Sequence, residues 1–362
     1  MRQTSYALRR GIEPPAPFMP VLTRLQQEAA KYFPVPEASL VAVSYEERPF
    51  SHLLRVGIVG PGDDAPRSHL FVKIFKTGPL GGDTVKMAAR VAHDFETTRR
   101  LHEAMAHWGD MGVVRPVACY LDHLAIVTEE TEGVTLQARL ETDAAWLPSH
   151  DTMRALVATM RRAGRWVAAF QTIEPSDRQV NTGELRDYVD LRLVKLVGAP
   201  AARFDETDRA RVLRHIDHLT GLIPTTGLRD VLVHADLTPA NMLVSGDGIV
   251  VLDLAMTHRG TRLHDLARMH FQLELLTAKP HFLVRTIRKL QHALLDGFEP
   301  GLTDRDPLFR LLLLMQRVNH LGSLAIRPAR FPASLYNRHV RRLHRRWLDR
   351  ELRVAAGRSE TR

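Results

Sequence analysis

The stretch LVHADLTPANMLVSGDGIVVLDLA, Leu232 to Ala255, places Asp236, Asn241 and Asp253 close together beside apolar, strand-like runs. A carboxylate next to buried strands is costly unless a partner satisfies it. Pro239 lies between Asp236 and Asn241. Its fixed φ makes a tight loop, so both side chains can face one cavity. The SGDG segment is a hairpin turn signal, and an antiparallel return would carry Asp253 back beside Asn241. The oxygens of Asn241 and Asp253 suit Mg²⁺, a hard cation that takes few protein ligands and completes its shell with phosphate and water. Asp236 is then free to accept a proton from an attacking hydroxyl. Positioning and charge neutralisation of this kind are the requirements of phosphoryl transfer.

Two regions must position these residues. The first third reads as β-rich: SLVAVSYEE and HLLRVGIV, the turn cluster PGDDAP, then HLFVKIFK around Lys73. The glycines of TGPLGGD close that strand, and the spacing predicts a helix from about Thr84 to Trp108. VVRPVACYL and HLAIVTEE read as two further strands, and TEGV as the crossing to a second region. Beyond it the periodicity is helical, through Met153 to Val167, Leu185 to Val197 and Glu206 to Leu222, and again from Asp265 onward. The short strands DVLVHA, NMLVS and GIVVLD interrupt it. This is an α+β chain: an extension over 1–36, a small antiparallel β-rich region with one helix over 37–131, and a larger helical region over 132–362. A nucleotide is expected in the cleft between the two.

Bulk properties narrow the class. The 362 residues are 44% hydrophobic and 25% charged, as in a globular protein, and no window reaches the ~20 apolar residues of a membrane span. The opening MRQTSYALRRGIEPPAPFMP has no signal-type apolar core. A single cysteine, Cys119, excludes an internal disulfide, fits a reducing cytoplasm, and reads as a small buried residue. The net charge of +9 favours anionic partners. No nucleic-acid motif accompanies it, so no nucleic-acid partner is expected. No histidine pair has zinc-site context. The basic tail HVRRLHRRWLDRELRVAAGR has Val340, Leu343 and Trp347 at helical spacing. It reads first as a docked helix with a solvated basic face, and second as a weak membrane-surface contact.

HADLTPAN is similar to the catalytic loop of the protein-kinase-like fold, and LDLAMTHRGTRLHDLARM resembles the aminoglycoside phosphotransferase and choline kinase branch. The resemblance covers most of the chain. It implies a two-lobed fold, with ATP and Mg²⁺ as cofactors. By residue it implies Asp236 as base, His234 supporting the loop, Asn241 and Asp253 as Mg²⁺ ligands, and Asp265 bracing the loop. It implies Lys73 on the α/β-phosphates, with Lys76 as the alternative. Glu96 would hold that lysine by an ion pair, with Glu103 or Asp94 as alternatives. Backbone near Glu129 to Thr131 would bind adenine. Asp265 also reads as an N-cap of the following helix.

The departures are specific. No Gly-rich phosphate loop is present; its place is taken by YEERPFSHLL, where backbone near Phe50 to His52, with Ser51, would cover the phosphates. Thr238 stands where a lysine or histidine often approaches the transferring phosphate. Ala235 replaces the arginine that reads a phosphorylated loop in protein kinases, and only eleven residues separate Asp253 from Asp265. The acceptor is therefore expected to be a small molecule rather than a protein: a sugar, sugar phosphate, amino alcohol or antibiotic-like alcohol. The segment NTGELRDYVDLRLVKL offers Glu184, Asp187 and Asp190, but the arginine-rich final helices favour a neutral or anionic acceptor. A catalytically silent kinase-like protein that binds nucleotide or a partner is the alternative.

Overall fold

The computed structural model describes residues 12–33, 38–77, 83–326, 331 and 333–359. The glycines of TGPLGGD and the first eleven residues fall largely outside them. The chain forms two compact units, one of residues 1–133 and 250–256, the other of 134–249 and 257–362.

In the first unit, α1 (Met19–Gln27) and α2 (Ala29–Tyr32) precede β1 (Ser39–Glu47), β2 (Ser51–Val59) and β3 (Ser68–Phe75). Then come α3 (Thr84–Met105), β4 (Met111–Val113), β5 (Pro116–Tyr120) and β6 (Ala125–Glu129). Five strands make one antiparallel sheet in the order β1-β2-β3-β6-β5. Alternation along β2 and β3 sends Leu54, Val56, Leu70 and Val72 into one core with Phe18, Val21 and Leu25. The expected extension over 1–36 is thus not an appendage where it is described. Its helical apolar stripe supplies a wall of the core. Asp83 caps α3 by accepting from the Val85 amide at 3.0 Å.

The second unit starts at β7 (Val134–Thr135) and α4 (Leu136–Asp143), followed by α5 (His150–Thr172), α6 (Thr182–Val197) and α7 (Glu206–Leu222). Next are β8 (Asp230–Val233) and β9 (Met242–Ser245); β10 (Gly248–Val251) then carries the chain back into the first unit. The chain returns to the second unit through β11 (His258–Thr261), which pairs antiparallel with β8 from His258 opposite Val233 to Thr261 opposite Asp230. Periodicity alone did not reveal β11. Four helices complete the unit: α8 (His264–Leu276), α9 (Val284–Phe298), α10 (Pro307–Ile326) and α11 (Ala333–Ser359).

Helices α5 and α9 pack backbone to backbone. A Cβ on Gly297 would meet Arg161 O at 2.1 Å, and one on Gly164 would meet Leu294 O at 2.1 Å. Backbone cannot yield as a flexible side chain does, so Gly297→Ala should cost about 2 kcal/mol or more. A melting temperature several degrees lower would show it. Gly221→Ala in α7, where nothing lies within 4 Å of the added carbon, should be neutral or stabilising. Equal effects of the two substitutions would refute the close approach.

In α11, Val340, His344, Leu348 and Leu352 are buried at spacing four. Arg345 is spent on Asp208 at 2.5 Å. The tail is therefore docked on its own unit, and among the described residues no helix is long and apolar enough to cross a membrane.

Burial holds His270, His320 and His344 neutral, pushing them down to about 4, 4 and 3. The charge of Arg317 adds to the depression in each, and Glu274 and Asp304 oppose it at His270. A depressed histidine binds no proton in the native state while the unfolded chain does. Stability is full above the ordinary value near 6.5 and falls as pH drops toward 4. The loss should be of the order of 3 kcal/mol or more in sum. Urea midpoints at pH 7 and pH 5 test the slope. Three imidazole signals should not titrate above pH 5 in NMR, and ordinary titration of all would contradict this.

Candidate functional site

In the second unit, a carboxylate organises the loop after β8. Asp265 is fully buried in the first turn of α8 and accepts the amides of His234 at 2.7 Å and Ala235 at 2.9 Å. Burial alone would raise its pKa. The His264 hydrogen bond and charge, the His234 charge and the His234 amide outweigh burial and hold it below the usual carboxylate range. Asp265 is not an N-cap: Leu263 takes that position, and α8 has no side-chain cap there. With its carboxylate in place, Ala235 adopts a left-handed φ of 64° and the chain turns sharply.

His234 is completely buried, and its Nδ1 accepts the Asp236 amide at 3.3 Å. Asn241 ends the short Pro239–Asn241 turn and donates Nδ2 to Asp236 O at 3.0 Å. That bond leaves Asn241 Oδ1 as the ligand-type atom. Asp236 itself is half-buried and ion-paired with Arg268 of α8, whose Nη1 lies 3.5 Å from Gln316 Oε1. Sequence reasoning did not find Arg268. Its signal was the spacing Asp265 to Arg268, which sets both on one side of the first turn of α8.

In the first unit, Asp253 follows β10 with a left-handed φ of 61°. Its Oδ1 accepts Lys73 Nζ at 3.0 Å. Lys73 lies on β3 opposite Leu53 and Ile126. Lys76 is paired with Glu47 at 2.7 Å, which leaves Lys73 as the lysine beside Asp253. The expected Lys73–Glu96 ion pair is not formed. Glu96 points to solvent and pairs with Arg99 at 2.6 Å, as does Glu103 at 2.7 Å. Asp94 is the acid of α3 that faces inward, on a stripe with Met87, Val91, Thr98 and Leu101. Burial lifts Asp94 to about 6; the charge of Lys73 opposes the lift and that of Asp253 adds to it.

The remaining expected residues sit on the sheet. Ser51 opens β2 and is buried beside the exposed Phe50. Glu129 ends β6, donates its amide to Arg115 O at 2.9 Å, and accepts Arg115 Nη1 on its carboxylate at 3.2 Å. Thr131 follows at a half-buried position. Cys119 is half-buried, and burial pushes its thiol up to about 11, so it is no nucleophile. Among the described residues no group of three or more His, Cys, Asp or Glu gathers as a metal cage.

Comparison with known proteins adds to this geometry. No curated protein matches the chain. Several solved structures share its fold along nearly their whole length. Macrolide 2'-phosphotransferase MphH from Brachybacterium faecium is 16% identical, with a TM-score of 0.51, over 88% of this chain and 97% of that one. A thermostable mutant of aminoglycoside phosphotransferase APH(4)-Ia, solved with AMP-PNP and hygromycin B, is 16% identical with a TM-score of 0.54, over 92% and 99%. Choline kinase LicA from Streptococcus pneumoniae is 12% identical with a TM-score of 0.51, over 92% and 98%. The fold is therefore the α+β protein-kinase-like one. The model of the phosphotransferase enzyme family (APH) matches residues 64–301, about two thirds of the sequence, and the chain belongs to that family.

Proposed function

We propose that this phosphotransferase moves the γ-phosphoryl group of ATP to a hydroxyl of a small molecule. The observation that carries the reading is the braced loop, in which Asp265 fixes the backbone that presents Asp236 and Asn241. The residue types suit Mg²⁺, since the carboxylate of Asp253 and the amide oxygen of Asn241 are each hard oxygens. When bound, Mg²⁺ would neutralise charge on the phosphates. Lys73 would exchange Asp253 for the α/β-phosphates, with Asp94 rather than Glu96 behind it. Backbone at Glu129 and Thr131 would hold adenine, and Ser51 would support the turn over the phosphates. Asp236 would take the acceptor proton once Arg268 releases its carboxylate.

Arg268 also bears on the acceptor. A guanidinium at the base repels a polycation and tolerates a neutral or anionic alcohol. Asp190, one of the acids that could receive a cation, is already held by Arg209 at 2.6 Å. A sugar, a sugar phosphate or an amino alcohol of low charge fits better than a polyamine antibiotic. The second reading, a silent nucleotide-binding protein, is favoured by the same Arg268 pair covering the base.

Two measurements separate these readings. Mg-ATP at ~100 times its Kd should add about 2.7 kcal/mol of stability, visible as a thermal shift. Labelled ATP should then transfer phosphate to a member of a panel of sugars, sugar phosphates, amino alcohols and antibiotics. A shift with no transfer across the panel would favour the silent reading. No shift at millimolar Mg-ATP would remove ATP from both.

A further inference from the structure

The second unit contains a cavity of about 880 Å³ between α8, α9, α10 and α11. Neither His234, Asp236, Asn241 and Asp265 nor Arg268 lines it. Its contacts on α8 begin at His270 and run past the helix end to Ala278, so it lies along the helix beyond the residues that face the base. None of the residues given a role in phosphoryl transfer above lines it.

Its walls are of two kinds. The apolar part includes Phe271, Leu295, Leu313 and Val340, all buried, with the half-buried ring of Trp347. His270 and His344 add rings that burial keeps neutral near pH 7. The charged part is unbalanced, with five arginines against three carboxylates on the lining. Two of the carboxylates are already used. Glu274 accepts the buried Arg317, whose guanidinium carbon also sits 4.0 Å from the Trp347 ring centroid. Glu351 accepts Arg310 at 2.6 Å and His215 at 3.2 Å. Asp304 alone remains against Arg288, Arg305 and Arg350, all exposed. Arg317 Nε is buried and has no hydrogen-bond partner among the described residues.

An apolar, partly aromatic floor under a cationic rim is complementary to one ligand chemistry. The body must be apolar, because the floor offers few unspent polar groups. The head must be anionic, because the unspent charges are guanidiniums. We propose that this cavity binds an amphiphilic anion: a small aryl or alkyl body bearing one carboxylate, sulfonate or phosphate at the rim. The site shares no residue with the Asp236 loop and does not rest on the ATP reading.

The probe is 8-anilinonaphthalene-1-sulfonate, with uncharged N-phenyl-1-naphthylamine as its partner, on the full chain. One equivalent of the sulfonate should bind with enhanced, blue-shifted fluorescence. The triple variant Arg288→Ala, Arg305→Ala, Arg350→Ala changes only exposed positions. It should weaken sulfonate binding tenfold or more and leave the neutral probe within twofold. Val284→Trp, at an exposed lining position, should weaken both probes at least tenfold. Added salt should weaken the sulfonate alone. The proposal is overturned if the triple variant binds the sulfonate as tightly as the parent, or if Val284→Trp leaves both probes bound while circular dichroism shows a native fold.

Discussion

Asp236→Asn is expected to lower turnover by about 10²–10⁴-fold while leaving the chain folded, since a positioned general base contributes on that scale. The amide keeps an oxygen for the Arg268 guanidinium, so the ion pair becomes a hydrogen bond and the loop keeps its shape. Its Nδ2 side cannot take a proton from an alcohol. The KM for ATP should stay within a few-fold, because Asp236 lies outside the nucleotide contacts proposed above. Transfer from labelled ATP to the acceptor found in the panel, or to water, gives kcat. Turnover equal to the parent would exclude Asp236 as the base. A matched rise in KM with unchanged kcat would make it a binding group instead.

The second large effect falls on stability. Asp265→Ala would strand the buried amides of His234 and Ala235, which the carboxylate now accepts at 2.7 and 2.9 Å. Each unsatisfied buried donor costs about 1–3 kcal/mol, and bonds to a charged acceptor lie at the upper end. A loss of about 3–5 kcal/mol is therefore expected. Asp265→Asn should recover only part of it. One carbonyl oxygen can accept from one amide, while the new NH₂ would face the other donor. Denaturant midpoints would rank the parent above Asp265→Asn and that above Asp265→Ala. Turnover should fall in the same order, because the left-handed turn at Ala235 loses its anchor. An Asp265→Ala variant as stable as the parent would mean that the brace is not structural.

Much of this architecture was readable from residue spacing. The alternation in HLLRVGIV and HLFVKIFK marked two paired strands, and the apolar repeats marked α5, α6 and α7 within a few residues. The loop was readable because its residue types are chemically rare together. Glu96 was preferred over its alternatives Asp94 and Glu103 behind the lysine, and the preference failed for a geometric reason. Asp94 and Glu96 are two residues apart on α3, about 200° around the helix, so one faces in and the other faces solvent. The deciding signal was present: Asp94 falls on the repeat Met87, Val91, Thr98, Leu101, Met105. A charge on an apolar stripe reads at first as an exception, whereas here it marks the inward acid. The extension expected over 1–36 was given no helix, yet Phe18, Val21 and Leu25 sit at helical core spacing. Arg268 escaped because its one signal, the three-residue spacing from Asp265, gains meaning only once Asp236 is known to lie across from it.

The return of residues 250–256 to the first unit has a consequence for biosynthesis. Lys73 leaves the ribosome 180 residues before the carboxylate it pairs with. A nascent first unit thus has its five-stranded sheet but lacks Asp253 and the buried Leu254. Its completion must wait for the hairpin after β9, although domains generally fold in order of synthesis. For the same reason no single splice junction can swap this first unit between relatives. A graft would need to carry the seven-residue strip as well as everything up to Gly133.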